Sequence, residues 1–220
     1  MRVTVSLFRS LLMVAASCMT LGGCFVALGG AALGTAIVAT DRRSMGIQLE
    51  DAQIEHRIND AFDAHFARES VHIDVTSYNQ KVLLAGQVPQ EKDRADAEAM
   101  AASSQGVRQV VNELTIGSMS GLASRTEDTA TAGKVRSALL EAPGLPNGAV
   151  KVSCTDGTIY LFGRVGSAEA DIAQRSASHV AGVKRVVALF DLLTDAELAQ
   201  LQRETQAPAA APAVPGTEAR

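Results

Sequence analysis

Val82-Leu83-Leu84-Ala85-Gly86-Gln87-Val88 returns 77 residues later as Ile159-Tyr160-Leu161-Phe162-Gly163-Arg164-Val165. The same offset lays Ile73-Asp74-Val75-Thr76 on Val150-Lys151-Val152-Ser153, and Ile58, Ala61 and Phe62 on Val135, Ala138 and Leu139. Farther on, Gly106-Val107-Arg108-Gln109-Val110-Val111 matches Gly182-Val183-Lys184-Arg185-Val186-Val187 at an offset of 76, one residue fewer. The chain therefore holds two copies of one unit, at roughly 51–116 and 127–193. Two copies do not make a solenoid, which needs three or more stacked units.

Local signals come in the same order in each copy. Asp51 is a candidate N-cap for a helix with Ile54, Ile58, Ala61, Phe62 and Phe66 on one face, and Asp128 or Thr131 for one with Val135, Ala138 and Leu139. An alternating strand follows, Val71-Ile73-Val75 or Val150-Val152-Cys154. A tight turn at Tyr78-Asn79-Gln80, or at Thr155-Asp156-Gly157-Thr158, returns the chain as an antiparallel strand over 81–88 or 158–165. A second helix, 90–104 or 167–180, then ends at Gly106 or Gly182, where a C′ residue at positive φ suits glycine. The last strand, 107–116 or 183–192, is reached by a crossover and so should run parallel. The fold class is α+β: tandem α-β-β-α-β units, each a three-stranded mixed sheet with both helices on one face. At about 66 residues a unit is near the lower size for independent stability, so the copies are expected to support each other by packing. Gly86 and Gly163 share one place in the second strand, which suggests a helix backbone passing too close for a Cβ.

The first residues carry a processing pattern. Arg2 and Arg9 form a basic leader and Leu11-Leu12-Met13-Val14-Ala15-Ala16 an apolar core. Leu21-Gly22-Gly23-Cys24 looks like a lipobox, with 1–23 a signal peptide, Cys24 the lipidated first residue and 24–50 a linker. The alternative is an uncleaved anchor, but Phe25 to Ala39 is dominated by Gly and Ala, which weakens a helix. Phe25 stands where an inner-membrane retention signal would place Asp, so the outer membrane is the expected destination, with the domains facing the periplasm. Removing 1–23 leaves 18 Lys and Arg against 24 Asp and Glu, the opposite of a nucleic-acid footprint. Cys18 leaves with the leader and Cys24 takes the lipid, which makes Cys154 a lone thiol, expected as a small buried hydrophobe. Residues 205–220 are Ala- and Pro-rich and are expected to be a disordered tail.

The repeat resembles the dual BON-domain outer-membrane lipoprotein family. The matching stretches are Ala39-Thr40-Asp41-Arg42-Arg43-Ser44-Met45-Gly46, Lys81 to Gln87, Lys134-Val135-Arg136-Ser137-Ala138-Leu139-Leu140 and Gly182-Val183-Lys184-Arg185-Val186. The resemblance implies a non-enzymatic envelope-integrity factor at a division site, whose second BON domain binds an anionic phospholipid membrane through its first helix. Carried over, that surface is Glu127 to Leu140, with Lys134 and Arg136 facing phosphate and Ala130, Gly148 and Ala149 beside them. Where relatives carry an aromatic just before this helix, this chain has Thr129-Ala130-Thr131-Ala132, which implies weaker membrane affinity of the domain itself.

Nothing in the sequence points to catalysis, a cofactor or a metal. His56, His65, His72 and His179 lack metal-ligand spacing, and neither a nucleotide-binding glycine fingerprint nor a Gly-x-Ser-x-Gly elbow is present. The competing reading is a protein-interaction adaptor that docks envelope or division proteins. It would use the first copy, with 11 acids against six bases, or the sheet edge at Val107–Ile116.

Overall fold

The computed structural model describes residues 41–67 and 69–206. The leader, Cys24, the chain up to Thr40 and the tail from 207 onward lie outside the described residues.

The first repeat runs α1 (Met45–His65), β1 (His72–Tyr78), β2 (Lys81–Val88), α2 (Glu91–Ser103) and β3 (Gln109–Ile116). The second runs α3 (Leu122–Leu140), β4 (Lys151–Thr155), β5 (Thr158–Phe162), β6 (Arg164–Val165), α4 (Ser167–Ser178), β7 (Arg185–Ala188) and β8 (Asp191–Leu192), and α5 (Asp195–Gln206) follows it. In each repeat the hairpin is antiparallel and the crossover strand parallel, giving sheet orders β1-β2-β3 and β4-β5-β7. The second strand expected over 158–165 breaks at Gly163, and its parallel neighbour breaks after Ala188. The ladder survives both breaks, because Leu189, Asp191 and Leu193 still donate N–H to the carbonyls of Leu161, Gly163 and Val165 at 2.8–2.9 Å.

Both helices of a repeat cover one sheet face. Ile54, Ile58 and Phe62 of α1, with Ala97 and Ala101 of α2, bury Val82, Leu84 and Val88. Val135 and Leu139 of α3 do the same for Ile159 and Leu161, with Ala173 and Ala177 of α4. Alanine on the second helix lets it lie close to the sheet. Ala61, expected on the buried face, is exposed.

The aspartates expected as N-caps have a different task. Ser44 caps α1, its Oγ accepting the Ile47 N–H at 3.3 Å, so helix replaces the last six residues of the expected linker. Gly121 precedes α3, which starts five residues before the expected boundary, and Thr131 is buried within it. Asp51 and Asp128 are each the seventh residue of their helix and are buried. Asp51 accepts from the Asn79 and Gln80 N–H groups (2.8 Å each), the Ser77 hydroxyl (2.7 Å) and Arg43 Nη1 (2.8 Å). Asp128 accepts from the Asp156 and Gly157 N–H groups at 2.8 Å each. Those turn residues all have φ between 53° and 74°, a left-handed pair typical of two-residue hairpins, and three of the four are not glycine. A carboxylate fixed on the helix therefore satisfies the turn amides and joins helix to hairpin.

The glycines also act differently from expectation. A Cβ on Gly86 would stand 2.1 Å from the His72 carbonyl oxygen and one on Gly163 2.5 Å from that of Ala149. The close backbone belongs to the preceding strand segment, not to a helix. Gly106 and Gly182, at φ 85° and 100°, do not sit at C′. Each is the third residue of a turn after the helix, closed by Val107 N–H to the Ser104 carbonyl and by Val183 N–H to that of Val180.

The two sheets pack face to face. Leu83, Ala85 and Tyr78 meet Tyr160 and Phe162 on the faces turned away from the helices, which gives the layer order helix, sheet, sheet, helix. Burial pushes the Tyr78 and Tyr160 phenols up to about 12. Polar bridges ring this seam: Lys151 to Glu55 (3.1 Å), Lys81 to Asp191 (2.9 Å), Thr155 to Asp74 (3.0 Å) and Gln87 to Asp156. Arg42 forks onto Glu169 of α4 at 2.6 and 2.8 Å and trades backbone contacts with Arg164, while Arg43 pairs with Asp51 and lies 4.1 Å over the Tyr78 ring. Adjacent arginines thus fasten one short segment to both repeats.

The helix α5 was not expected. Thr194-Asp195-Ala196-Glu197 is a capping box, in which Glu197 Oε2 accepts from the Thr194 N–H and hydroxyl (2.8 and 2.7 Å) and Thr194 Oγ1 from the Glu197 N–H (3.3 Å). The helix extends to Gln206, two residues into the expected tail.

Two outcomes are expected. Asp51→Ala strips four donors of a buried acceptor and should cost about 3 kcal/mol or more in urea unfolding, with Asp128→Ala costing about 2 kcal/mol. At Glu169, burial alone raises the carboxyl pKa, but hydrogen bonds from Arg42 and the Gly166 N–H, with the Arg42 charge, outweigh it and hold the carboxyl below its ordinary range. The clasp's stability is therefore full above the unfolded carboxylate pKa and is lost as pH falls through the lowered folded one. Unfolding midpoints measured from pH 6 down to pH 3 should converge for the wild type and Glu169→Gln.

Candidate functional site

The helix α3 carries Ala130, Lys134 and Arg136 of the residues that the sequence singled out, while Gly148 and Ala149 lie between it and β4. Its buried side is Asp128, Thr131, Ala132, Val135 and Leu139, which leaves the opposite side to solvent. Leu122 and Leu140 stand 18 residues, or five turns, apart and so lie on one line along that open side. They are 75% and 59% exposed. Thr126, Thr129 and Ser137 lie between or near them, all exposed, and the first two turn their hydroxyls back to the helix carbonyls of Leu122 and Arg125 at 2.9 Å.

Lys134 and Arg136 do not share a patch. Two residues apart, they point about 160° from each other around the helix. Lys134 lines a shallow depression of about 320 Å³ with Ala130, Glu127 and Lys184, whose Nζ donates to the Asp156 carbonyl at 3.1 Å. Arg136 turns to the other flank, where its Nη2 donates to the Val152 carbonyl at 3.1 Å beside a groove of about 440 Å³. Gly148 is exposed at φ 76° and borders neither hollow. Ala149 is 1% exposed, packed with Val165 and Ala170, and is not a surface residue. Its carbonyl is the group that Gly163 makes room for. The sequence missed Lys184, which reaches the depression only because the turn at Gly182 brings β7 beside α3.

Cys154, expected as buried, is half-buried, and its Sγ donates to Asp128 Oδ1 at 3.4 Å. Burial and the Asp128 carboxylate push the thiol up to about 12, so it stays protonated and weakly nucleophilic at neutral pH. Among the described residues, no group of three or more His, Cys, Asp or Glu could hold a metal ion, and no helix is long and apolar enough to cross a membrane.

A BON-domain family model matches residues 50–118 and 127–193, the two α-β-β-α-β repeats. This chain belongs to the BON-domain family. Outer membrane lipoprotein DolP of Haemophilus influenzae is 33% identical over 192 residues, covering 86% of this chain and 99% of the relative. The 21 kDa hemolysin of Actinobacillus pleuropneumoniae is 33% identical over 153 residues, covering 69% and 78%. Osmotically-inducible protein Y of Escherichia coli is 32% identical over 155 residues, covering 68% and 76%. The first repeat is hereafter BON1 and the second BON2.

The geometry at Cys154 sets an expected rate. Iodoacetamide should modify it at pH 8 about a hundredfold or more slowly than a free thiol, as read by mass spectrometry, and unfolding in guanidinium should restore ordinary reactivity.

Proposed function

We propose that this BON-domain protein is a non-enzymatic outer-membrane lipoprotein, anchored through Cys24 with its domains in the periplasm, that supports envelope integrity by holding the open face of α3 against anionic phospholipid. Similarity to Outer membrane lipoprotein DolP across 99% of that relative favours the same location. The observation that carries the lipid reading is the aligned pair Leu122 and Leu140, two exposed leucines on one face of a 19-residue helix. Such a helix can lie in the interface plane, with apolar side chains among the acyl chains and basic stems on either flank reaching headgroups. Lys134 and Arg136 occupy those two flanks, so their separation suits a helix that lies flat better than a single phosphate pocket. Glu127 shares the Lys134 flank, and Thr126, Thr129 and Ser137 add little apolar area. The affinity of BON2 alone is therefore modest, and the lipid supplies most of the attachment.

The test is vesicle co-sedimentation of the mature chain carrying Cys24→Ser. The bound fraction should rise with phosphatidylglycerol content. Leu122→Ser with Leu140→Ser should lower it severalfold and Lys134→Glu about as much, while Arg108→Glu in BON1 leaves it unchanged. A bound fraction indifferent to headgroup charge rules the reading out.

A further inference from the structure

The groove beside Arg136 runs along strand edges. Five consecutive residues of β1, His72 to Thr76, border it, and so do three consecutive residues of β4, Val152 to Cys154. Successive strand residues point to opposite faces, so a hollow bordered by unbroken runs follows the edge of a sheet. Both strands are edge strands in their sheets.

Register identifies which backbone groups face the groove. Tyr78 and Lys81 close the two-residue hairpin and exchange hydrogen bonds, so in β1 the groups of Tyr78, Thr76, Asp74 and His72 point to β2. Those of Ser77, Val75 and Ile73 point outward. Ser77 bears this out, because its N–H is taken by Glu55 (2.7 Å) and its carbonyl by Lys151 (3.2 Å). Among the described residues, nothing takes the outward groups of Ile73 and Val75. On β4 the same alternation turns Val152 and Cys154 outward, as the Arg136 bond to the Val152 carbonyl shows.

Above these edges α3 lays Arg125, Thr129, Ala132 and Arg136, spaced as one stripe. The Arg125 guanidinium has no partner for its Nε, which is out of contact with solvent. The carboxylates at hand are engaged: Asp74 with Thr155 and His72, Asp128 with the hairpin turn. The groove thus combines a free β edge with a guanidinium that makes no ion pair among the described residues, although Asp74 and Asp128 share its lining.

We infer that this groove binds an extended segment of another polypeptide, which adds a short strand to the outer edge of β1 and places an acidic side chain against Arg125. Main-chain pairing at Ile73 and Val75 supplies register, and the guanidinium supplies selectivity. A volume of about 440 Å³ suits a few residues, in keeping with two outward positions. The groove shares Thr129 and Arg136 with one flank of the open face of α3, but the inference rests on the β1 edge and does not depend on phospholipid binding.

The experiment uses the full mature chain in detergent micelles and the capped hexapeptide acetyl-Thr-Val-Glu-Val-Thr-Val-amide, with amide hydrogen exchange read residue by residue. In the free protein, Ile73 and Val75 should exchange at least tenfold faster than Asp74 and Thr76. Peptide should slow Ile73 and Val75 at least tenfold and leave the other two unchanged. Arg125→Glu should weaken peptide binding tenfold or more, and N-methylation of alternate peptide amides should abolish it. No binding at millimolar peptide, or binding that leaves Ile73 and Val75 exchanging freely, overturns the inference. So does equal protection by phosphatidylglycerol vesicles, which would give the groove to headgroups.

Discussion

A carboxylate held by a helix and spent on a turn organises each half of this molecule. Two-residue hairpins need both central residues at positive φ, and side chains other than glycine resist that conformation. In BON1 the pair is Asn79 and Gln80, with no glycine to relieve the strain, and Asp51 answers with hydrogen bonds to both amides and to the Ser77 hydroxyl. BON2 has Asp156 and Gly157, one glycine, and Asp128 makes fewer bonds. The more strained turn has the better supplied acceptor. Because the aspartate is part of α1 or α3, the bond that settles the turn also sets the depth at which the helix crosses its sheet.

What remains after each helix pair has covered its sheet is a second, bare sheet face, and a unit of this size cannot leave that to water. The two bare faces cover each other through Leu83, Ala85, Tyr160 and Phe162. The charged bridges lie around that apolar centre, as in protein interfaces generally. With both sheet faces used, the surfaces left for recognition are the outer sides of the helices and the edges of the strands. That is why Leu122 and Leu140 on one helix, and the outward amides of β1, are the features that look outward.

The repeat made most of a single domain legible. An apolar run ending in glycine, an Asp-Gly turn and a helix-length alanine stretch fix element order, hairpin sense and parallel crossover, because each is a local property of the chain. The helix starts were misplaced because Met45 and Leu49 are exposed, so the first turns of α1 show no buried stripe, and because aspartate ahead of an apolar helix resembles a cap until its depth is known. α5 had a legible signal, the Thr194 to Glu197 capping box, but little apolar periodicity to go with it. Candidate site residues fared worst. Lys134 and Arg136 look like neighbours on paper and diverge on a helix, Ala149 sits in the core, and Lys184 and Arg125 gain meaning only from what the fold brings near them. Proximity across elements depends on packing, which sequence spacing does not report.

The twin arginines at 42 and 43 give the chain's entry into the folded region a mechanical character. Tension arriving through residue 41 would meet a bidentate ion pair to BON2 and a stacked, paired guanidinium on BON1 within one peptide unit. Such a pull is shared between the halves at their junction, so it presses for sliding of both together rather than peeling one from the other. A pair of small domains fastened in this way gains a stiffness that neither helix terminus could lend it alone.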